Sequence, residues 1–120
     1  DSVVTDVIQL PIGSFVASNG ANNNIALPNK SFIRITLVDP DSEAAFSISG
    51  IAKPDNPDGR VVILYNTTSQ HMTITNDATS TAANRILTNT GADVVTTGTG
   101  IVSLIYSVTD ARWILLTSLL

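Results

Sequence analysis

Along much of this 120-residue chain apolar and polar positions alternate with a period of two, the spacing of a pleated strand with one face buried. Ser31–Asp39 sets Ile33, Ile35 and Leu37 against Phe32, Arg34, Thr36 and Val38, which predicts a half-buried strand. Ala45–Ile51 predicts another, with Phe46 and Ile48 inward and Gly50 at a bulge or exit. His71–Thr75 follows the same rule, with Met72 and Ile74 inward. Two segments break the alternation and are apolar on both faces, Arg60–Tyr65 and Gly100–Leu116. The second is two β-branched and aromatic runs around a short polar break, the signature of a hairpin. Ile101 and Ile105 point one way, and Val102, Leu104 and Tyr106 the other. Trp113 and Leu115 likewise oppose Ile114 and Leu116. Such strands need cover on both sides, and in so short a chain the second cover can be another copy of itself. Burying ~200 Å² of Trp113, the only tryptophan, is worth roughly 5 kcal/mol gross.

The remaining segments are short. Asp1–Leu10 alternates weakly before Pro11 and reads as an edge strand or an arm; Ile12–Val16 is a short apolar stretch, and residues 1–16 together are a candidate N-terminal arm. Ser18–Asn24 is a loop by composition, and Ile25–Leu27 begins a strand that Pro28 stops. Pro54–Gly59 is the strongest turn signal, ending in Asp58-Gly59. Asn76–Asn84 is a polar loop of small residues, and short strands follow at Arg85–Leu87 and Asp93–Thr96. About nine strands at intervals of roughly eight to twelve residues predict a single all-β domain over 1–120, a sandwich or barrel. No internal repeat or linker divides it.

Composition sharpens this picture by exclusion. Charged residues are only 13 %, while Thr, Ser and Asn are abundant, which suits a sheet protein and not a helical bundle. Net charge is −4, and the six Lys and Arg are scattered singly, so no basic stripe is present for nucleic acid. No apolar run approaches the ~20 residues that a membrane helix needs. The chain starts on Asp1 with neither a Met nor a signal-peptide pattern, which reads as processing or as a piece of a longer protein. Cysteine is absent, so disulfide and thiolate chemistry are excluded.

Candidate chemistry is thin, and the expectation is a protein that is not an enzyme and uses no cofactor. His71, the only histidine, falls on the wet face beside Thr73 and Thr75, with neither a Gly-x-Ser-x-Gly elbow nor a second nitrogen or sulfur ligand for zinc. Asp39, Asp41 and Glu43, and then Asp55 and Asp58, place carboxylates on turns that could hold calcium or serve a glycosidase. Ordinary turns use the same residues. Gly98-Thr99-Gly100 lacks the Lys and the helix of a phosphate loop. Asn29-Lys30-Ser31 and Asn66-Thr67-Thr68 fit the N-glycosylation pattern. Tyr65, Tyr106 and Trp113 could stack on sugars, but their apolar strands favour burial.

Asp58–Thr67, Met72–Asn76, Thr81–Leu87, Val102–Tyr106 and Arg112–Leu115 together show a further likeness. The pattern resembles the β-rich domains at the ends of bacteriophage tail-fibre, head-fibre and spike proteins: a Gly-led strand, a threonine-rich return, an Ala-Asn-Arg-Ile segment and a closing hairpin with Arg-Trp. It extends from Ile33 onward at best, and Tyr106-Ser107 stands where Tyr-Asp is common. The resemblance implies an antiparallel, jelly-roll-like β-sandwich, homotrimeric and exposed on the virion surface. It implies host attachment through a bacterial surface glycan, or a capsid-decoration or fibre-assembly role with the capsid or fibre shaft as partner. On that reading one strand face fills the sandwich and the other meets a neighbouring subunit. The interface candidates are Val62, Leu64, Ile101, Leu104, Tyr106, Ile114 and Leu116. The long polar loops, where recognition often lives, supply Asn19, Asn22, Asn23, Asp77, Thr79 and Ser80 as binding candidates.

Overall fold

A computed structural model describes residues 8–119, whose regular structure is almost entirely strand, in two sheets. Ten strands run in chain order: β1 (Ile12–Ala17), β2 (Gly20–Asn22), β3 (Phe32–Leu37), β4 (Phe46–Ile48), β5 (Val61–Asn66), β6 (Met72–Ile74), β7 (Ile86–Leu87), β8 (Val94–Thr96), β9 (Ile101–Ser107) and β10 (Arg112–Leu119). One 3-10 turn, Ala82–Asn84, precedes β7. The larger sheet has the order β1-β3-β5-β9-β10-β7, and the smaller β2-β4-β6-β8.

The first six strands alternate between the sheets, and each lies parallel to the strand two before it. The chain is thus wound as a flat coil of three turns, with each turn contributing one strand to either sheet. In the smaller sheet Gly20, Phe46 and Met72 stack at equal sequence intervals, and the parallel bridge Ile25–Ile51 adds a short side wall at the same interval. The coil closes with antiparallel strands, β9 and then β10 on the larger sheet and β8 on the smaller.

This winding corrects the expected antiparallel jelly-roll pairing. The sandwich is mixed, with β1-β3-β5, β2-β4-β6 and β10-β7 all parallel, and it has ten strands rather than about nine. The polar breaks from β1 to β9 carry the chain across from one sheet to the other. Only β9–β10 pairs as the expected hairpin. Within the candidate arm over 1–16, β1 begins at Ile12 and is the edge strand of the larger sheet, while residues 1–7 lie outside the described residues. Ile25–Leu27 forms a single bridge and not a strand, and the Ser18–Asn24 loop contains β2.

The core lies between the sheets. Ile33, Ile35, Val62, Leu64, Val102, Leu104, Tyr106 and Trp113 enter from the larger sheet, and Phe46, Ile48, Met72 and Ile74 from the smaller. Tyr106 and Trp113 meet edge to face at 5.2 Å between ring centres. The polar tips of both find carbonyls: Tyr106 Oη donates to Ala83 O at 2.7 Å, and Trp113 Nε1 to Ile51 O at 2.9 Å. Buried Asn66 turns the chain out of β5, donating to Gln70 O and accepting from the Thr68 amide and hydroxyl. Among the described residues every buried side-chain polar atom has a partner, as a low-dielectric interior requires.

Candidate functional site

Three features of the surface can carry function: the outer face of the larger sheet, the polar loops, and a groove at one side of the sandwich.

The register of the larger sheet aligns its outward side chains in rows. One row runs Leu87, Ile114, Ile105, Val61; the next runs Ser103, Ile63, Phe32, Ile12. A third runs Ile101, Tyr65, Arg34, Ser14. Six strands at ~4.8 Å by about six residues at ~3.3 Å give a face roughly 25 by 20 Å. Most of its apolar side chains are half-buried by one another, while Ile12 at the edge is 65 % exposed. Arg34 lies over the Tyr65 ring at 5.4 Å, and Phe32 packs 6.0 Å from it. Ser103 interrupts the second row, and Arg34 and Ser14 end the third, so the face is apolar chiefly over its middle strands.

The interface candidates divide by strand parity. Ile101 and Ile114 lie on this outer face, and Leu116 is exposed where β10 bulges after Leu115. Val62, Leu64, Leu104 and Tyr106 are instead sealed in the chain's own core. Their pleat neighbours Val61, Ile63, Tyr65 and Ile105 take the outward positions, and the period-two pattern holds the signal for this once the inner face is known. Burial also raises the Tyr106 phenol above its ordinary value, with nearby Arg112 partly offsetting that.

The two polar loops converge, and their side chains are used in holding them together. Asn24 Oδ1 accepts from the Thr81 amide and from Asn84 Nδ2, and the Asn24 amide donates to Ser80 Oγ. Ser49 Oγ bonds both Asn23 Oδ1 and Ser80 Oγ. Gly50 sits against this seam so closely that a Cβ there would meet Ser80 Cβ at 2.5 Å. Asn22 is buried and bonded to Ser18, Gly20 and Ser47 carbonyls, and Asn19 bridges to Ser42 O and the Ala44 amide. Asp77 pairs with Arg112 at 2.8 Å and approaches Arg85 at 4.0 Å. Of the six loop candidates only Thr79 is exposed with no hydrogen bond shown, and it holds a left-handed φ of 71° that a β-branched residue rarely adopts. The loops therefore brace the coil; Asn19, Asn22, Asn23, Asp77 and Ser80 are engaged within the chain.

The groove was missed in the sequence. The Ile25–Ile51 bridge brings the 26–29 segment beside the 52–56 segment, with Arg60 against both. Two adjoining recesses of about 270 and 410 Å³ share Leu27, Pro54, Asp55 and Arg60. Val62, Ile51 and Trp113 form the floor of the first, and Asn29 and Asn56 line the second. Its one advance sign was the Pro54–Gly59 turn; nothing local linked that turn to residues 26–29.

Among the described residues no three His, Cys, Asp or Glu side chains come together as a metal site. No described helix is long and apolar enough to cross a membrane. Of the two glycosylation patterns, Asn66 is wholly buried and Asn29 exposed. Comparison with known proteins finds no matching family model, no matching curated protein and no matching solved structure.

Proposed function

We propose that the chain is a virion-surface module of the fibre or spike kind, which self-associates as a homotrimer and attaches the particle to a bacterial surface glycan. The single observation supporting this is the apolar outer face of the larger sheet, set on a domain that is otherwise poor in charge and rich in Thr and Asn. Three such faces around a threefold axis would close a prism, each covering the others. Three copies of a weak site would also bind a repetitive cell surface by avidity. The sequence resemblance to phage fibre ends supports the same reading.

A second reading, capsid decoration or fibre assembly without a host ligand, draws on the loops, whose asparagines are occupied in bracing the coil. Adsorption of labelled domain to a panel of bacterial strains, with unlabelled domain and glycan extracts as competitors, separates the two. Saturable, glycan-competed adsorption is expected. Saturable binding to undecorated capsids with no cell binding would replace the first reading with the second.

A further inference from the structure

We infer that the groove bounded by Leu27, Pro54, Asp55 and Arg60 binds an acidic sugar, a pyranose bearing one carboxylate. This rests on the attachment reading and gives its glycan a chemical class. The groove is pre-formed: Trp113 in its floor is fixed by the bond from its Nε1 to Ile51 O, so little ordering is needed on binding. Its size suits one or two sugar rings.

Its charges are unspent. Arg85 and Arg112 share Asp77, whereas Arg60 and Lys53 make no ion pair among the described residues. The Arg60 side chain also donates no hydrogen bond there, although the residue is half-buried. A half-buried guanidinium fork is suited to bidentate binding of a carboxylate, with Lys53 adding a point charge. Leu27 and Pro54 offer apolar walls for the C–H face of a ring, and Asp55 offers acceptors for its hydroxyls. Asp55 also sets a negative charge against any more highly charged anion, which favours a single carboxylate over phosphate.

The test is a titration of the isotope-labelled domain with glucuronate, glucose and inorganic phosphate, followed by amide and indole NMR shifts. Glucuronate should shift Lys53, Asp55, Arg60 and the Trp113 indole, saturating near millimolar concentration. Arg60→Gln should weaken it about tenfold, with Lys53→Gln weakening it less. Equal shifts with phosphate, equal shifts with glucose, or shifts away from the groove would each overturn the assignment. Adsorption keeps this separate from the attachment reading. If wild type adsorbs to cells, glucuronate leaves the groove unshifted and Arg60→Gln adsorbs normally, the groove assignment falls and attachment stands. If glucuronate shifts the groove and no strain is bound, the groove assignment stands and attachment falls.

Discussion

The outer faces of the two sheets differ sharply. On the smaller sheet the outward row is Ala21, Ser47, Thr73 and Val95, three small or hydroxyl-bearing residues and one valine that is 44 % exposed. On the larger sheet the matching positions carry Ile63, Tyr65, Ile101, Ile105 and Ile114. Both faces belong to the same coil and enclose the same core, yet their outward side chains differ. The larger sheet carries a second apolar layer, which the described residues leave half-exposed. That contrast is the physical content of the self-association proposal.

Alternate residues of β9 break or sharpen the comparison most strongly. Leu104→Ala, on the inner side, should cost roughly 2–5 kcal/mol in denaturant unfolding, and Trp113→Ala roughly 3–5, with Ile51 O left unpaired as well. Ile105→Ala, one residue away on the outer side, should cost an isolated chain far less. Equal losses at Leu104 and Ile105 in a monomer would mean that the outer face is already covered. A charge asks the same question of assembly. Ile105→Glu should weaken association by roughly 3–5 kcal/mol, because the carboxylate would be buried unpaired, while Thr73→Glu on the other sheet should leave it unchanged. Analytical ultracentrifugation reads both.

Two smaller effects probe the seam and the core. Gly50→Ala forces a Cβ into Ser80 Cβ and the Asn84 carbonyl and should cost roughly 1–3 kcal/mol, read by thermal melting. Tyr106 makes stability depend on high pH. Its folded-state value is raised, so above about pH 10 the unfolded chain loses the phenolic proton while the folded one keeps it, and stability falls as pH rises. Below that range this contribution is constant. Tyr106→Phe should remove the slope, at a fixed cost of roughly 1–3 kcal/mol for the unpaired Ala83 carbonyl.

Strands with clear alternation were legible in the sequence. Ile33, Ile35 and Leu37, then Phe46 and Ile48, then Met72 and Ile74 all point inward as the period-two rule predicts. The closing hairpin and its two-faced character were legible too. Strand direction was not, because alternation is the same in parallel and antiparallel pairs, and an arch between sheets uses the same Asn, Asp and Gly as a hairpin turn. β2 was hidden because Gly20-Ala21-Asn22 reads as loop, and Asn22 occupies the register position that Ile48 and Ile74 fill in the next turns. The groove was illegible for a simpler reason: its walls are far apart in the chain and meet through one bridge.

The most direct measurement of the central claim is the absolute mass of the domain by light scattering across a wide concentration range. The account predicts three times the 12.6 kDa chain mass, falling to one chain in Ile105→Glu. A folded single copy at high protein concentration, with the larger sheet's outer isoleucines in water, would contradict it.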